Sequence, residues 1–245
     1  MVAGMSPLLA SPAVIPYAGP MAIPTPEFLQ AIPLFRHLGG EELRALAALL
    51  RERVFPKATV IVAQGDPGDT LFLIADGQVK VAVFGEDGRE VILSVLSAGG
   101  FFGEMALLDD EPRSAHVIAM ADSSLWQLRR EDFRARLGAS PELAIALLGE
   151  LSRRLRRADE TIASLALLDV NGRIAHLLLD MAREEGGNRI ARKLTHATIA
   201  QMVGASRETV SRTMRSLAIQ GVISMNRQEI VLKDPDQLRT AAKRA

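Results

Sequence analysis

One stretch constrains this chain more than any other: Pro141 to Asp169, PELAIALLGELSRRLRRADETIASLALLD. Ser140 suits an N-cap, Pro141 the first helical position, and Glu142 sets negative charge among unpaired N–H groups, so a helix begins here. At 3.6 residues per turn the stretch makes about eight turns. Along it Leu148, Leu151, Leu155, Ala158, Ile162 and Leu165 recur alternately three and four apart, the seam of a two-stranded coiled coil. A core helix inside one domain is the other reading, but it wants a wider apolar face than this one. Here Arg153, Arg154, Arg156, Arg157, Asp159 and Glu160 crowd the flanks. The spacing therefore predicts a helix that pairs with a second copy in a homodimer and connects what lies before it to what lies after.

Before the helix, Leu29, Ile32, Leu34 and Phe35, then Leu43, Leu46, Ala47, Leu49 and Leu50, carry helical spacing from Phe28 to about Arg53. The break at Gly39-Gly40 divides this into two short helices. After Pro56 the texture changes to short β-rich runs: Thr59 to Val62, Thr70 to Ala75, Gln78 to Phe84, Glu90 to Leu96, Ser114 to Ala119 and Ser124 to Leu128. Runs so closely spaced and punctuated by glycine predict an all-β barrel or jelly roll, with Glu86-Asp87-Gly88 as a hairpin tip.

Within the barrel, Gly100 to Ala115, GFFGEMALLDDEPRSA, is not an ordinary turn. Gly103 permits close backbone approach, the N–H groups of Met105 and Ala106 open a helical turn, and Arg113 is a fixed fork of donors, which together make an anion site suited to a phosphate. Glu104 beside such a site needs a donor, and a ribose hydroxyl is one. On residue types alone the segment reads equally well as a Glu104–Arg113 ion pair closing a loop.

After the helix the charge balance changes sign. Val170 to Ala245 carries 13 Lys and Arg against 7 Asp and Glu, whereas the remainder carries 16 against 22. A basic module on an acidic body fits nucleic-acid binding. Asp169 caps a helix from Val170 to about Glu184, stopped by Gly186-Gly187. Thr195 caps His196 to Val203, Gly204-Ala205 turns, and Ser206 caps Arg207 to Gln220 before Gly221. That is the spacing of a helix-turn-helix. On its second helix Arg207, Glu208, Ser211, Arg212 and Arg215 share one face, and Val210, Thr213, Met214 and Leu217 share the other. Val222 to Ser224 and Glu229 to Leu232, joined through Asn226-Arg227-Gln228, read as the hairpin of a wing.

The chain has no cysteine, which removes disulfides, Cys-ligated zinc, iron–sulfur ligands and thiol nucleophiles, and fits a reducing cytoplasm. His37, His116, His176 and His196 lie far apart without metal-ligand spacing, so neither metal nor haem is expected. Met1 to about Pro26 reads as a disordered extension, with a weak export signal as the alternative. No run is long enough to span a membrane. G-x-S-x-G, Walker and H-E-x-x-H motifs are absent from the sequence, and no enzyme is expected.

GEMALLDDEPRSA resembles the phosphate-binding cassette of cyclic-nucleotide-binding domains, from its Gly-Glu start to its Arg-Ser-Ala end. SRETVSR, Ser206 to Arg212, is similar to the recognition helix of the cyclic-AMP receptor protein and fumarate–nitrate regulator family of transcription factors, whose likeness covers roughly Phe28 to Lys233. The resemblance implies that Glu104 accepts from a ribose 2′-hydroxyl, and that Arg113, Ser114 and the backbone at Gly103, Met105 and Ala106 hold a cyclic phosphate. The family's base-reading Thr-Ser pair falls on Ala158 and Asp159. Ala158 has no hydrogen-bonding side chain, while Asp159 can accept from an adenine amino group or from a guanine's N1–H and amino pair. Cyclic AMP is the expected effector, with cyclic di-GMP or no ligand as alternatives. Arg207 and Arg212 would donate to guanine and Glu208 accept from cytosine in palindromic TGTGA-type half-sites, with Ser206 and Thr209 as phosphate contacts or caps. Glu86 to Arg89 and Glu184 to Arg192 would be surfaces for RNA polymerase.

The expectation is an α+β protein: an extension over residues 1–26, a cyclic-nucleotide-binding β-roll over 27–139, a dimerisation helix over 140–169, a winged helix-turn-helix on double-stranded DNA over 170–234, and a tail over 235–245. A cyclic-nucleotide-binding regulatory subunit whose C-terminal unit binds protein is the reading from another class.

Overall fold

The computed structural model describes residues 23–191, 194–226 and 229–243. Most of the expected N-terminal extension lies outside these, as do Arg227 and Gln228 of the expected wing turn and Arg192. Two compact units share the chain. One takes in the described residues up to Gly88 together with Leu93–Leu151, the other Arg89–Ile92 and the described residues from Ser152 onward.

The first unit opens with α1 (Pro26–Ala31) and α2 (Gly40–Ala47). Thr25 caps α1, its hydroxyl accepting from the Phe28 N–H at 3.2 Å. Strands β1 (Arg51–Phe55), β2 (Val60–Val62), β3 (Thr70–Asp76), β4 (Gln78–Phe84), β5 (Glu90–Ser97) and β6 (Phe101–Phe102) follow, then α3 (Met105–Leu108), β7 (His116–Ala119), β8 (Ser123–Arg129) and α4 (Arg130–Ala139). They form two four-stranded sheets, ordered β1-β8-β3-β6 and β2-β7-β4-β5. Between the sheets Phe55, Phe72, Ile74, Phe102 and Leu125 meet Val62, Val79, Val117 and Ala119. Phe72 stacks on Phe102 with ring centroids 4.9 Å apart. The outer face of the first sheet buries Leu71, Leu73, Trp126 and Leu128 among Leu29, Leu46 and Phe133 of the helices and Phe35 of the turn between α1 and α2. Because β3 is buried on both faces, its sequence does not alternate.

The helical pattern was expected to reach Arg53, yet Arg51–Phe55 is a strand paired antiparallel with β8. It lies at the edge of its sheet, where charged side chains are the normal protection, so RERVF carries little strand signal. Helix α4 carries little signal of its own: half of REDFRARLGA is charged, and Phe133 alone is buried.

Helix α5 (Pro141–Leu167) is 27 residues long. Ser140 caps it, accepting from the Leu143 N–H at 3.3 Å. Leu143 and Leu147 enter the first unit's core and Leu151 packs partly against it. Further along the seam, Leu155, Ile162 and Leu165 are exposed, as is Leu148.

The second unit continues with α6 (Val170–Glu184), β9 (Arg189–Ile190), α7 (His196–Val203), α8 (Arg207–Ile219), β10 (Ile223–Met225), β11 (Ile230–Leu232) and α9 (Pro235–Ala241). Its core joins Ile174, Leu178 and Met181 of α6 to Ile199, Val203, Val210, Met214 and Leu238. The wing has three strands, ordered β10-β11-β9; the sequence indicated two. The tail expected from residue 235 is instead α9, capped by Asp234 and anchored by fully buried Leu238. Among the described residues no helix is long and apolar enough to cross a membrane.

Candidate functional site

In the first unit six of the indicated residues converge. Gly103 has φ +90°, and a Cβ there would stand 2.6 Å from Arg113 Nη1 and 2.9 Å from the Thr70 carbonyl oxygen. Only glycine lets the chain pass this closely. Glu104 follows, 2% exposed. Met105 and Ala106 begin α3, and a helix leaves its first N–H groups without intrahelical acceptors. Ser114 lies beside Met105, its hydroxyl donating to Sδ at 3.8 Å.

Arg113 is held from both ends. Its N–H donates to the Asp66 carbonyl and its carbonyl accepts from Gly65, each at 2.9 Å. Nη1 donates to the Gly103 carbonyl and Nη2 to that of Thr70, each at 2.8 Å. Burial pushes the guanidinium below its ordinary value, while the charges of Asp69 and Glu104 push it back up. An arginine so placed stays protonated. With its fork fixed and further N–H donors to spare, it presents a preorganised cation to an anion at the N-terminal turn of α3.

The sequence did not point to what supports this loop. Arg130 and Arg134, one turn apart on α4, reach back under α3. Arg130 donates to the Ala106 carbonyl at 2.9 Å and also to that of Gly68, and Arg134 Nε donates to the Leu107 carbonyl at 2.6 Å. Both pair with Asp110, Arg134 at 2.9 Å. Asp110 itself has φ +62°. The C-terminal carbonyls of α3, which a four-residue helix cannot satisfy itself, are thus capped by α4. Gly68 completes the packing: a Cβ on it would come within 2.5 Å of Ala106 Cβ. The i, i+4 spacing of Arg130 and Arg134 was the available signal, legible only once α4 is known to be a helix. Ala158 and Asp159 are both exposed on α5 and belong to the other compact unit.

In the second unit, Gly204 takes the left-handed conformation (φ +65°, ψ +44°) that ends α7. Ser206 then caps α8, accepting from the Thr209 N–H at 3.1 Å, with the two hydroxyls 3.0 Å apart. Val210, Thr213 and Met214 are buried, and Arg207, Glu208, Arg212 and Arg215 are exposed on the opposite face. Ser211 sits at the margin, half-buried, its hydroxyl 2.9 Å from His196 Nδ1. Thr213 donates to Asn171 Oδ1 at 2.7 Å, which fixes α8 to the start of α6.

Comparison with known proteins matches both units. Residues 52–139 match the cyclic nucleotide-binding domain, and residues 172–241 the Crp-like helix-turn-helix domain. Over 222 residues the chain is 33% identical to the CRP-like cAMP-activated global transcriptional regulator of Mycobacterium tuberculosis, covering 89% of this chain and 99% of that one. Among solved structures it is similar to the catabolite activator protein of Thermus thermophilus (35% identity, TM-score 0.51, 86% of this chain and 98% of that). It is also similar to the c-di-GMP responsive global regulator CLP of Xanthomonas campestris (27% identity, TM-score 0.65, 79% and 98%).

Proposed function

This chain belongs to the cyclic-AMP receptor protein and fumarate–nitrate regulator family, as a DNA-binding transcriptional regulator with a cyclic nucleotide-binding domain, and from that premise we propose that it is a homodimer switched by a cyclic nucleotide. The observation that carries the effector reading is the buried pair in the cassette: Glu104, 2% exposed, and Arg113, 7% exposed and locked to two carbonyls. An acceptor and a fixed cation on either side of a helical first turn suit a ribose hydroxyl and a phosphate held together. Cyclic AMP is the first choice, in keeping with the relatives' names. Asp159, an acceptor exposed on α5, favours a second reading, in which a guanine edge is the base contacted and cyclic di-GMP the effector.

The apolar seam supports the dimer: Leu148, Leu155 and Ile162 are 63%, 64% and 65% exposed in the single chain, a stripe that a second α5 would cover. In such a dimer the two α8 helices would read palindromic TGTGA-type half-sites, their centres about 34–36 Å apart. Effector binding would shift the population between two arrangements about Asp169–Gly172, one of which meets that spacing. The turn at Glu86–Arg89 and the exposed end of α6 from Glu184 would be the surfaces for RNA polymerase.

Calorimetric titration with cyclic AMP, cyclic GMP and cyclic di-GMP tests the effector reading. The expected result is saturable binding of one nucleotide that Arg113→Ala abolishes. Binding that survives Arg113→Ala, or no binding of any of the three, would overturn it and leave the family assignment untouched.

A further inference from the structure

Glu160 on α5 and His176 and Asp180 on α6 bring one ligand atom each to within 4.8 Å of one another. Spacing among the histidines gave no hint of this, because two of the three donors are carboxylates and one comes from a different helix. His176 and Asp180, four residues apart, share one helix face. Nδ1 of His176 and Oδ2 of Asp180 are 2.9 Å apart. An independent contact ties the same two faces together, Arg157 on α5 pairing with Glu184 on α6 at 3.1 Å. Glu160 therefore faces the His176–Asp180 pair across the break in the helix at Leu168–Asp169.

We propose that Glu160, His176 and Asp180 form a site for one divalent ion of the zinc class, which clamps α5 to α6 across that break. The donor set is one imidazole nitrogen and two carboxylate oxygens. Zinc accepts such a set at about 2.0–2.2 Å per bond, with water in the fourth position of a tetrahedron. Calcium and magnesium prefer shells made of oxygen alone. Donors bonded at those lengths stand roughly 3–3.5 Å apart, so the three side chains need only close inward by rotamer adjustment. Arg183 is the competing cation: its Nη1 lies 3.3 Å from Asp180 Oδ1. It takes the oxygen turned away from His176, and Oδ2 is the one that faces the site. The ion would hold fixed the joint that the proposed switch has to bend, but none of its three ligands belongs to the cassette, so the site can be tested with no nucleotide present.

The full chain, stripped with a chelator, is titrated with zinc chloride against a chromogenic indicator, with calcium chloride in parallel. One equivalent of zinc per chain is expected. Glu160→Gln, His176→Gln and Asp180→Asn should each weaken it by at least the roughly 10–100-fold that loss of even an outer-shell partner costs. Arg183→Ala, which removes the competitor, should bind zinc at least as tightly as the parent. Zinc should also slow amide exchange at Leu168 to Asn171 in the parent and not in Glu160→Gln. Absence of a stoichiometric equivalent would overturn the site and leave an ion-pair network. Parent-like affinity in Glu160→Gln would overturn the clamp, since the ion would then be held by α6 alone.

Discussion

Arg207 and Arg212 stand exposed on α8 while Val210, between them in sequence, is fully buried. A side chain earns a reading role only where its neighbours anchor the helix, and here Val210, Thr213 and Met214 do so. A bidentate arginine–guanine contact is worth about 1–3 kcal/mol of discrimination. Arg207→Ala and Arg212→Ala should therefore each weaken binding to a TGTGA-type palindrome by roughly tenfold to a hundredfold. Binding to a sequence with those G·C pairs replaced should change little. A gel-shift titration on both sequences checks this; equal loss on the two would make these arginines phosphate contacts. Ser206 is the cap, its hydroxyl accepting from the Thr209 N–H, so its replacement by Ala should act mainly through stability, by about 0.5–2 kcal/mol.

At the scale of elements, α5 and α4 carry the consequences. The stripe Leu148, Leu155, Ile162 and Leu165 leaves apolar surface in water in the single chain, which the proposed pairing would cover. Placing Glu at both Leu155 and Ile162 should convert the proposed dimer to monomer in sedimentation at micromolar concentration, with the far-ultraviolet dichroism of the fold retained because both side chains are exposed in the single chain. Helix α4 bears on the cassette through Asp110. The hydrogen bond from Arg134, reinforced by the charges of Arg134 and Arg130, holds the Asp110 carboxyl below its ordinary value of 3.8, against a smaller opposing effect of desolvation. A carboxyl depressed in the folded state stabilises it above the unfolded value and loses that contribution as pH falls through the folded one. Asp110→Asn should be less stable than the parent at pH 7, and the difference should close on acidification below about 4. Because Asp110 is solvent-facing, the gap is small. A denaturant titration at pH 7 and pH 3 measures it, and a gap that widens in acid would remove the α4 clamp as its origin.

For the molecule as a whole, the two units have separate cores, and α5 contributes residues to both. One helix carrying the seam of the proposed dimer, the two positions expected to read a base and Glu160 of the proposed metal site would be a short route by which the proposed effector alters DNA affinity. The joint at Leu168–Asp169 is where that helix gives way to α6, whose Asp169 cap accepts from the Gly172 N–H at 2.7 Å. A ligand moves such an equilibrium only by its difference in affinity for the two arrangements. The proposed effector and the proposed ion would therefore act on the same joint through neighbouring positions of α5, Ala158 and Asp159 for the one and Glu160 for the other.

Caps, stops and periodicities are local, and the sequence by itself determined what depends on them. Ser140, Asp169, Thr195 and Ser206 start their helices, Gly204 and Gly221 stop theirs, and the heptad seam of α5 and the two faces of α8 follow from spacing alone. The cassette was equally legible, because its glycine, glutamate and arginine lie within eleven residues of one another. Tertiary structure decided everything whose reason lies far away in the chain. Arg51–Phe55 is a strand because β8 offers it an edge, and residues 235–241 form a helix because Leu238 has a core to enter. β3 does not alternate because both its faces are covered. Arg130 and Arg134 matter because α4 passes beneath α3, and Glu160, His176 and Asp180 form a cluster only because α6 folds back against α5. No local pattern encodes these contacts, since each draws its stability from a partner that only the folded chain brings near.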